Sequence, residues 1–185
     1  MKSQSVSSAE MRRIVDPSAD TIPPVIQARV ITCSDAASCG NREDRSGPAV
    51  RDLLAAHSIE VDRIVVVPDE VEAIAAAIGE ALAAGRRLVV TTGGTGVALR
   101  DVTPEATWKV SARVIPGFGE LMRATSLANT PMASLSRAQA VTAGSALIVN
   151  LPGSVTGAIE NLEAILHLVP HALELLAGNT SHAGT

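Results

Sequence analysis

The sequence predicts an α/β fold in which a mostly parallel sheet is covered by helices on both faces. Three observations carry that expectation. Aliphatic strand-like runs alternate with longer amphipathic segments along the chain, the βα order of a parallel sheet. Aromatics make up only 1% of the residues, Trp108 and Phe118 alone, so the core is built from Ala, Val, Leu and Ile, as suits helices packed on an aliphatic sheet. The 185 residues show no internal repeat and no second core, which points to one domain of roughly 150 residues.

Residues 1–27 are polar, carry Pro17, Pro23 and Pro24, and are expected to form a flexible arm. ARVITCS (Ala28–Ser34) reads as the first buried strand, followed by the loop DAASCGNREDRSG. Pro48 opens a helix through AVRDLLAAH, at a first-turn position where its missing N–H costs nothing. VDRIVVVPD is a second strand ending at Pro68 and Asp69. EVEAIAAAIGEALAAG has apolar residues at helical spacing and Gly85 as its stop. RRLVVTT is a third strand running into glycines, and TPEATWKVSAR begins a helix with Thr103 as N-cap, Pro104 at the first position and acid in the first turn. PGFGELMRATSLA is a short helix, and SALIVNL is a further strand with a hairpin partner before it. TGAIENLEAILHLVPHALELLAG gives two helical segments broken at Pro170 and ended by Gly178. The folded domain is thus expected over 28–178, with 179–185 as a polar tail.

A net charge of −4 lacks the basic footprint of a nucleic-acid binder, and the dearth of aromatics excludes a base-stacking surface. The paired arginines Arg12–Arg13 and Arg86–Arg87 read as solvated surface. Cys33 and Cys39 lack zinc-site spacing and are expected to be reduced thiols. With no signal-like N-terminus and no apolar run near the ~20 residues of a membrane span, the chain is expected to be soluble and cytoplasmic, without a membrane partner.

Ligands of open α/β sheets bind beyond the carboxyl ends of the strands. Four loops converge there: Cys33, Ser34 and Asp35; Pro68 and Asp69; Thr92, Gly93, Gly94, Thr95 and Gly96; and Pro152, Gly153 and Ser154. Glycines let successive N–H groups approach phosphate oxygens, yet the stretch fits neither a Walker A loop nor GxGxxG, and a tight turn without ligand is the alternative. Asp69 and Asp101 lie beside that cradle and are Mg²⁺-ligand candidates, since Mg²⁺ takes one or two carboxylates plus phosphate oxygens and water. The plainer roles are a helix cap for Asp69 and, for Asp101, a pair with Arg100 or the cap of a turn. If the cradle reading holds, Gly94→Val should harm ligand binding more than the fold. His167 and His171 lack an acid partner at ligand spacing, and no GxSxG elbow is present.

TTGGTG, RDVTPEAT, PGFGELMR, LSR and ALIVNLPGS, in that order, resemble the molybdenum cofactor biosynthesis family, with SDAASCG and DRSGP matching its first loop. The resemblance covers nearly all of Ala28–Gly178 and is nearest to the molybdopterin adenylyltransferases and the related domain of gephyrin. It implies a three-layer α/β/α fold, usually trimeric, that transfers AMP from ATP to the terminal phosphate of molybdopterin with Mg²⁺, releasing pyrophosphate. It also implies contact with other enzymes of cofactor synthesis. Carried onto this sequence, it makes Asp69 and Asp101 the catalytic acids and Asp101 the metal ligand. It makes Ser34, Asp35, Ser46, Gly47, Thr92, Gly93, Gly94, Thr95, Gly96, Pro152, Gly153 and Ser154 the substrate-binding positions. LPGSVTGAIEN departs from the family pattern in lacking the second proline after LPG. The alternative functions are a molybdopterin-binding sister protein, hexameric in some cases, without efficient adenylyl transfer, and a nicotinamide-dependent oxidoreductase, for which the glycine spacing supplies no fingerprint.

Overall fold

A computed structural model describes residues 25–179. In chain order the elements are β1 (Ile26–Cys33), α1 (Asp35–Ser38), α2 (Ser46–Ala56), β2 (Ile59–Val67), α3 (Val71–Ala83), β3 (Leu88–Thr92), α4 (Thr103–Val110), β4 (Arg113–Val114), α5 (Pro116–Leu127), β5 (Gln139–Ala143), β6 (Ala146–Leu151), α6 (Val155–Leu166) and α7 (Val169–Leu176), with a 3₁₀ turn over Pro131–Leu135. One six-stranded sheet runs β2-β1-β3-β6-β5-β4. The first four strands in that order are mutually parallel, and β5 and β4 join antiparallel at one edge.

The aliphatic runs are buried on both faces because adjacent residues serve different cores. Val30, Val90 and Val149 face a core with α2, α5, α6 and α7 through Leu54, Met122, Leu162 and Leu173. Ile31, Val89 and Ile148 face the opposite core with Ile74 and Ile78 of α3 and Ala106 of α4. This is the expected three-layer arrangement. Gly85 and Gly178 follow their helices at φ +75° and +89°, the left-handed stop that glycine adopts without strain.

Several boundaries differ from expectation. Strand β1 starts at Ile26, which pairs with Ile59, so Ile26 and Gln27 belong to the sheet; residues 1–24 of the expected arm and 180–185 of the expected tail lie outside the described residues. The first loop contains the helix α1, and α2 opens at Ser46, two residues before Pro48. Thr103 does not cap α4; its hydroxyl donates to the Gly93 carbonyl at 2.8 Å instead, tying the helix to the glycine loop. Arg86 and Arg87 are not freely solvated. Arg86 donates to Gln27 Oε1 at 2.9 Å, and Arg87 donates to the carbonyl of Leu173, joining the sheet to α7. No helix among the described residues is long and apolar enough to cross a membrane.

Away from the strand ends that form the site, Arg29 is only 4% exposed and is held by Asp62 of the neighbouring strand. Burial alone would push the Asp62 carboxyl up, but the Arg29 hydrogen bond and charge, with the Arg63 N–H and Arg86, hold it below its usual value. Asp62→Ala strands the guanidinium and should cost about 3 kcal/mol at neutral pH. A depressed acid contributes fully above its unfolded value of ~3.9 and loses its contribution as pH falls through the lower folded value. Urea titrations should therefore show a gap between wild type and variant that is wide at pH 7 and narrows below about pH 4; a gap independent of pH would mean the ion pair contributes nothing.

Candidate active site

The parallel register places Cys33 opposite Val67, Thr32 opposite Thr92, and Thr92 opposite Leu151. Strands β2, β1, β3 and β6 therefore end on one line, and their loops leave the sheet side by side. Three hydrogen bonds lock the exits together: Ser34 N–H to the Val67 carbonyl at 2.9 Å, Gly93 N–H to the Leu151 carbonyl at 3.1 Å, and the Thr92 hydroxyl to the Pro152 carbonyl at 2.8 Å.

The glycines are demanded by this convergence. Gly93 sits at φ +104°, and a Cβ there would fall on the Cys33 carbonyl oxygen; a Cβ on Gly153 would lie 3.1 Å from Gly93 Cα. At Gly94, φ is +63°, and a Cβ would strike the Thr103 hydroxyl and come within 3.2 Å of Asp69 Oδ1. The loop is thus both a tight turn and a surface with no side chain between its backbone and the carboxylates. This revises the expectation for Gly94→Val. A β-branched side chain in the left-handed region, pressed on Thr103, should cost roughly 3 kcal/mol of stability in addition to ligand binding. Thermal unfolding within a degree or two of wild type would show that the loop adapts.

Four charged groups meet at the loop tips. Asp35 N–H donates to Asp69 Oδ2 at 2.9 Å, and Asp69 N–H donates back to Asp35 Oδ1 at 3.0 Å. Arg100 clasps Asp35 with two bonds of 2.9 and 2.7 Å. It thus joins the loop after β3 to the loop after β1, and it does not pair with Asp101. Asp101 Oδ2 accepts the Ala98 N–H at 2.8 Å and occupies the space that a Cβ on Gly96 would need. Asp69 does not cap α3, whose cap position is held by Glu70 without a side-chain bond; Asp69 Oδ2 instead takes the N–H of Asp35, the first residue of α1. Asp69 Oδ1 is buried and has no hydrogen-bond partner.

The electrostatics follow from that geometry. Burial pushes the Asp69 carboxyl up, the Asp35 N–H bond pulls it down, and the charges of Asp35 and Asp101 raise it against Arg100, leaving it above the usual carboxylate value. The Arg100 hydrogen bond, with the Asp69 N–H, holds Asp35 below that value. An acid with an orphaned oxygen and two like charges nearby is short of positive charge, and a cation or hydrogen-bond donor brought by a ligand would supply it. Cys33 is no nucleophile, because burial pushes its thiol up to about 12 against the Thr103 hydrogen bond.

Two clefts, of about 670 and 510 Å³, open on either side of this cluster and share Gly94, Asp101, Gly153 and Ser154. Of the expected positions, Ser34, Ser46, Asp69, Thr92 and Gly93 line the larger cleft alone, and Thr95, Gly96 and Pro152 the smaller alone. Asp35 and Gly47 line neither. Asp35 supports Asp69, and Gly47 packs over Thr32 and Asp44, donating its N–H to Asp44 Oδ1 at 3.0 Å. Sequence reasoning did not single out Arg42, Asp44 and Arg45, which line the larger cleft. Their signal was NREDR, a charged run in the loop after the first strand. Arg42 donates to Ser34 Oγ at 3.1 Å, and the cleft lining sets Arg42, Arg45 and Arg100 among the carboxylates of Glu43, Asp44, Asp69 and Asp101.

The donor set suits Mg²⁺ shared with a polyphosphate. Two carboxylates, one with a buried unpartnered oxygen, supply protein oxygens, while no three metal-ligating side chains cluster among the described residues. Mg²⁺ prefers such a site, completed by phosphate oxygens and water, to an all-protein cage.

Residues 29–171 match the family described as the probable molybdopterin binding domain. The chain is 43% identical over 157 residues to a molybdopterin adenylyltransferase of Helicobacter pylori, covering 83% of this chain and 89% of that one. It is 38% identical over 164 residues to the molybdopterin adenylyltransferase of Escherichia coli, covering 80% and 84%. The crystal structure of the molybdopterin biosynthesis enzyme MoaB from Thermus thermophilus superposes with a TM-score of 0.78 at 45% identity, over 83% of this chain and 97% of that one.

Proposed function

The chain belongs to the molybdopterin-binding family of molybdenum cofactor biosynthesis, and from that premise we propose that it is a molybdopterin adenylyltransferase, transferring AMP from ATP to the terminal phosphate of molybdopterin. The observation that carries this reading is the meeting of two clefts at Gly94, Asp101, Gly153 and Ser154. A reaction joining two phosphate-bearing molecules needs two adjoining sites and one shared point of charge control.

A phosphate oxygen of molybdopterin attacks the α-phosphorus of ATP; the new O–P bond forms as the bond to the β-phosphate oxygen breaks, and pyrophosphate leaves. The nucleophile is already an anion, so no protein base or covalent intermediate is required. What the protein must do is bring two anions together and hold them in line. With the Gly93 N–H committed to the Leu151 carbonyl, the amides of Gly94, Thr95 and Gly96 would be the ones to meet phosphate oxygens. Arg42 and Arg45 supply positive charge in the larger cleft, and Ser34 and Ser46 supply hydroxyls. Asp69 and Asp101 would hold Mg²⁺, which when bound would supply charge neutralisation to the phosphates. Arg100, by clasping Asp35, holds Asp69 in place on the wall of the larger cleft.

The test is pyrophosphate release by purified protein given ATP, molybdopterin and Mg²⁺. Release that requires all three is expected. Molybdopterin binding without release would instead identify the sister protein that binds but does not transfer. The resemblance also supports a homotrimer, for which light scattering on the eluting protein should give three times the chain mass; a hexamer would fit the sister branch.

A further inference from the structure

Arg137 and Glu105 lie outside both clefts, yet every polar contact of the Arg137 guanidinium ends on the segment that carries Asp101 or on the helix that follows it. Arg137 Nε donates to the Gly96 carbonyl at 2.7 Å, and Nη2 donates to the carbonyl of Asp101. These two oxygens bracket the turn from Gly96 to Asp101. The Arg137 backbone N–H donates to the Thr95 carbonyl at 2.8 Å. Nη1 is held by Glu105 of α4, whose second oxygen, Oε2, is buried with no partner. Burial pushes the Glu105 carboxyl up, but Arg137 brings it below its usual value, so it stays charged and keeps the guanidinium in place.

We propose that Arg137, oriented by Glu105, is a positioning residue that sets the Asp101 carboxylate for metal-assisted transfer. The inference rests on the reading of Asp101 as a metal ligand. The physical reason lies in the turn itself. Its exposed residues Val97 and Leu99, the latter 99% exposed, have no core to pack against, so outside the Arg100–Asp35 pair the turn is restrained by polar contacts at its two ends. A planar guanidinium that reaches three fixed acceptors restrains such a turn where a point charge could not. In contrast, a purely structural Arg137 would stabilise the domain without bearing on the metal.

The test compares wild type with Arg137→Lys, which keeps the charge and loses the fork, and with Glu105→Gln, which can still accept from Arg137. Two quantities are read: kcat with its KM values, and Mn²⁺ affinity of the ATP-bound protein by electron paramagnetic resonance, which needs no turnover. For Arg137→Lys, kcat and Mn²⁺ affinity should each fall ~10–100-fold, the usual effect of losing a partner that orients a metal ligand. The KM for molybdopterin should stay within about twofold, and Glu105→Gln should lie between the two proteins. Unchanged Mn²⁺ affinity in Arg137→Lys would overturn the proposal. So would a parallel loss of thermal stability and of both substrate affinities, which is the mark of a structural residue. A wild-type protein without turnover would defeat the transferase reading, while the difference in Mn²⁺ affinity would still decide the role of Arg137. Absence of Mn²⁺ binding by wild type would sink the positioning role directly.

Discussion

Asp101→Asn is expected to slow adenylyl transfer by ~10²–10³-fold while leaving the fold intact, a loss of about 3–4 kcal/mol in transition-state charge stabilisation. The fold survives because the asparagine oxygen can still accept the Ala98 N–H that Asp101 Oδ2 accepts. What disappears is the negative charge. Asp101 Oδ1 makes no hydrogen bond among the described residues, so charge there serves no visible structural purpose. Because Arg100 is committed to Asp35, no surface ion pair is broken by the change. Pyrophosphate release and thermal unfolding measured on one sample separate the outcomes. Turnover within a fewfold of wild type at saturating Mg²⁺ would remove Asp101 from the site.

Asp69→Asn should also abolish most turnover, by ~10²-fold, for a different reason. Asp69 is a carboxylate kept in an unfavourable place: burial and the charges of Asp35 and Asp101 work against its ionised form. Substitution relieves that repulsion and keeps an acceptor for the Asp35 N–H, so stability should change by no more than about 1 kcal/mol in either direction. The raised carboxyl adds a pH signature. If transfer needs ionised Asp69, kcat/KM should fall on acidification at a pH above that of an ordinary aspartate, and Asp69→Asn should lack that limb. An acid limb that persists unchanged in the variant would assign it to another group.

Most of the fold was legible because it rests on aliphatic runs and helix punctuation, which are local. ARVITC, VVTT and ALIVNL are buried strands as read, and Gly85 and Gly178 end their helices. The β4 strand was not legible, since two exposed residues carry no periodic signal and are strand only through pairing with Val141 and Thr142. Thr103 misled because it has the cap's chemistry and the cap's place beside Pro104; a tertiary acceptor, the Gly93 carbonyl, competes for its hydroxyl. The candidate site was legible as a set of strand ends, because ligands of an open α/β sheet bind beyond the carboxyl ends of its strands. Its internal wiring was not. That Arg100 would choose Asp35, 65 residues away, over its neighbour Asp101 depends on how the loops cross, as does the clamp from Arg137.

The central claim is that the junction of the two clefts joins the α-phosphorus of ATP to molybdopterin. The most direct measurement follows isotopic label from ATP through a single turnover on the purified protein. With α-labelled ATP the label should appear on molybdopterin, and with γ-labelled ATP it should leave as pyrophosphate. Molybdopterin that remains unlabelled from α-labelled ATP while bound to the protein would contradict the account and make the chain a binding protein.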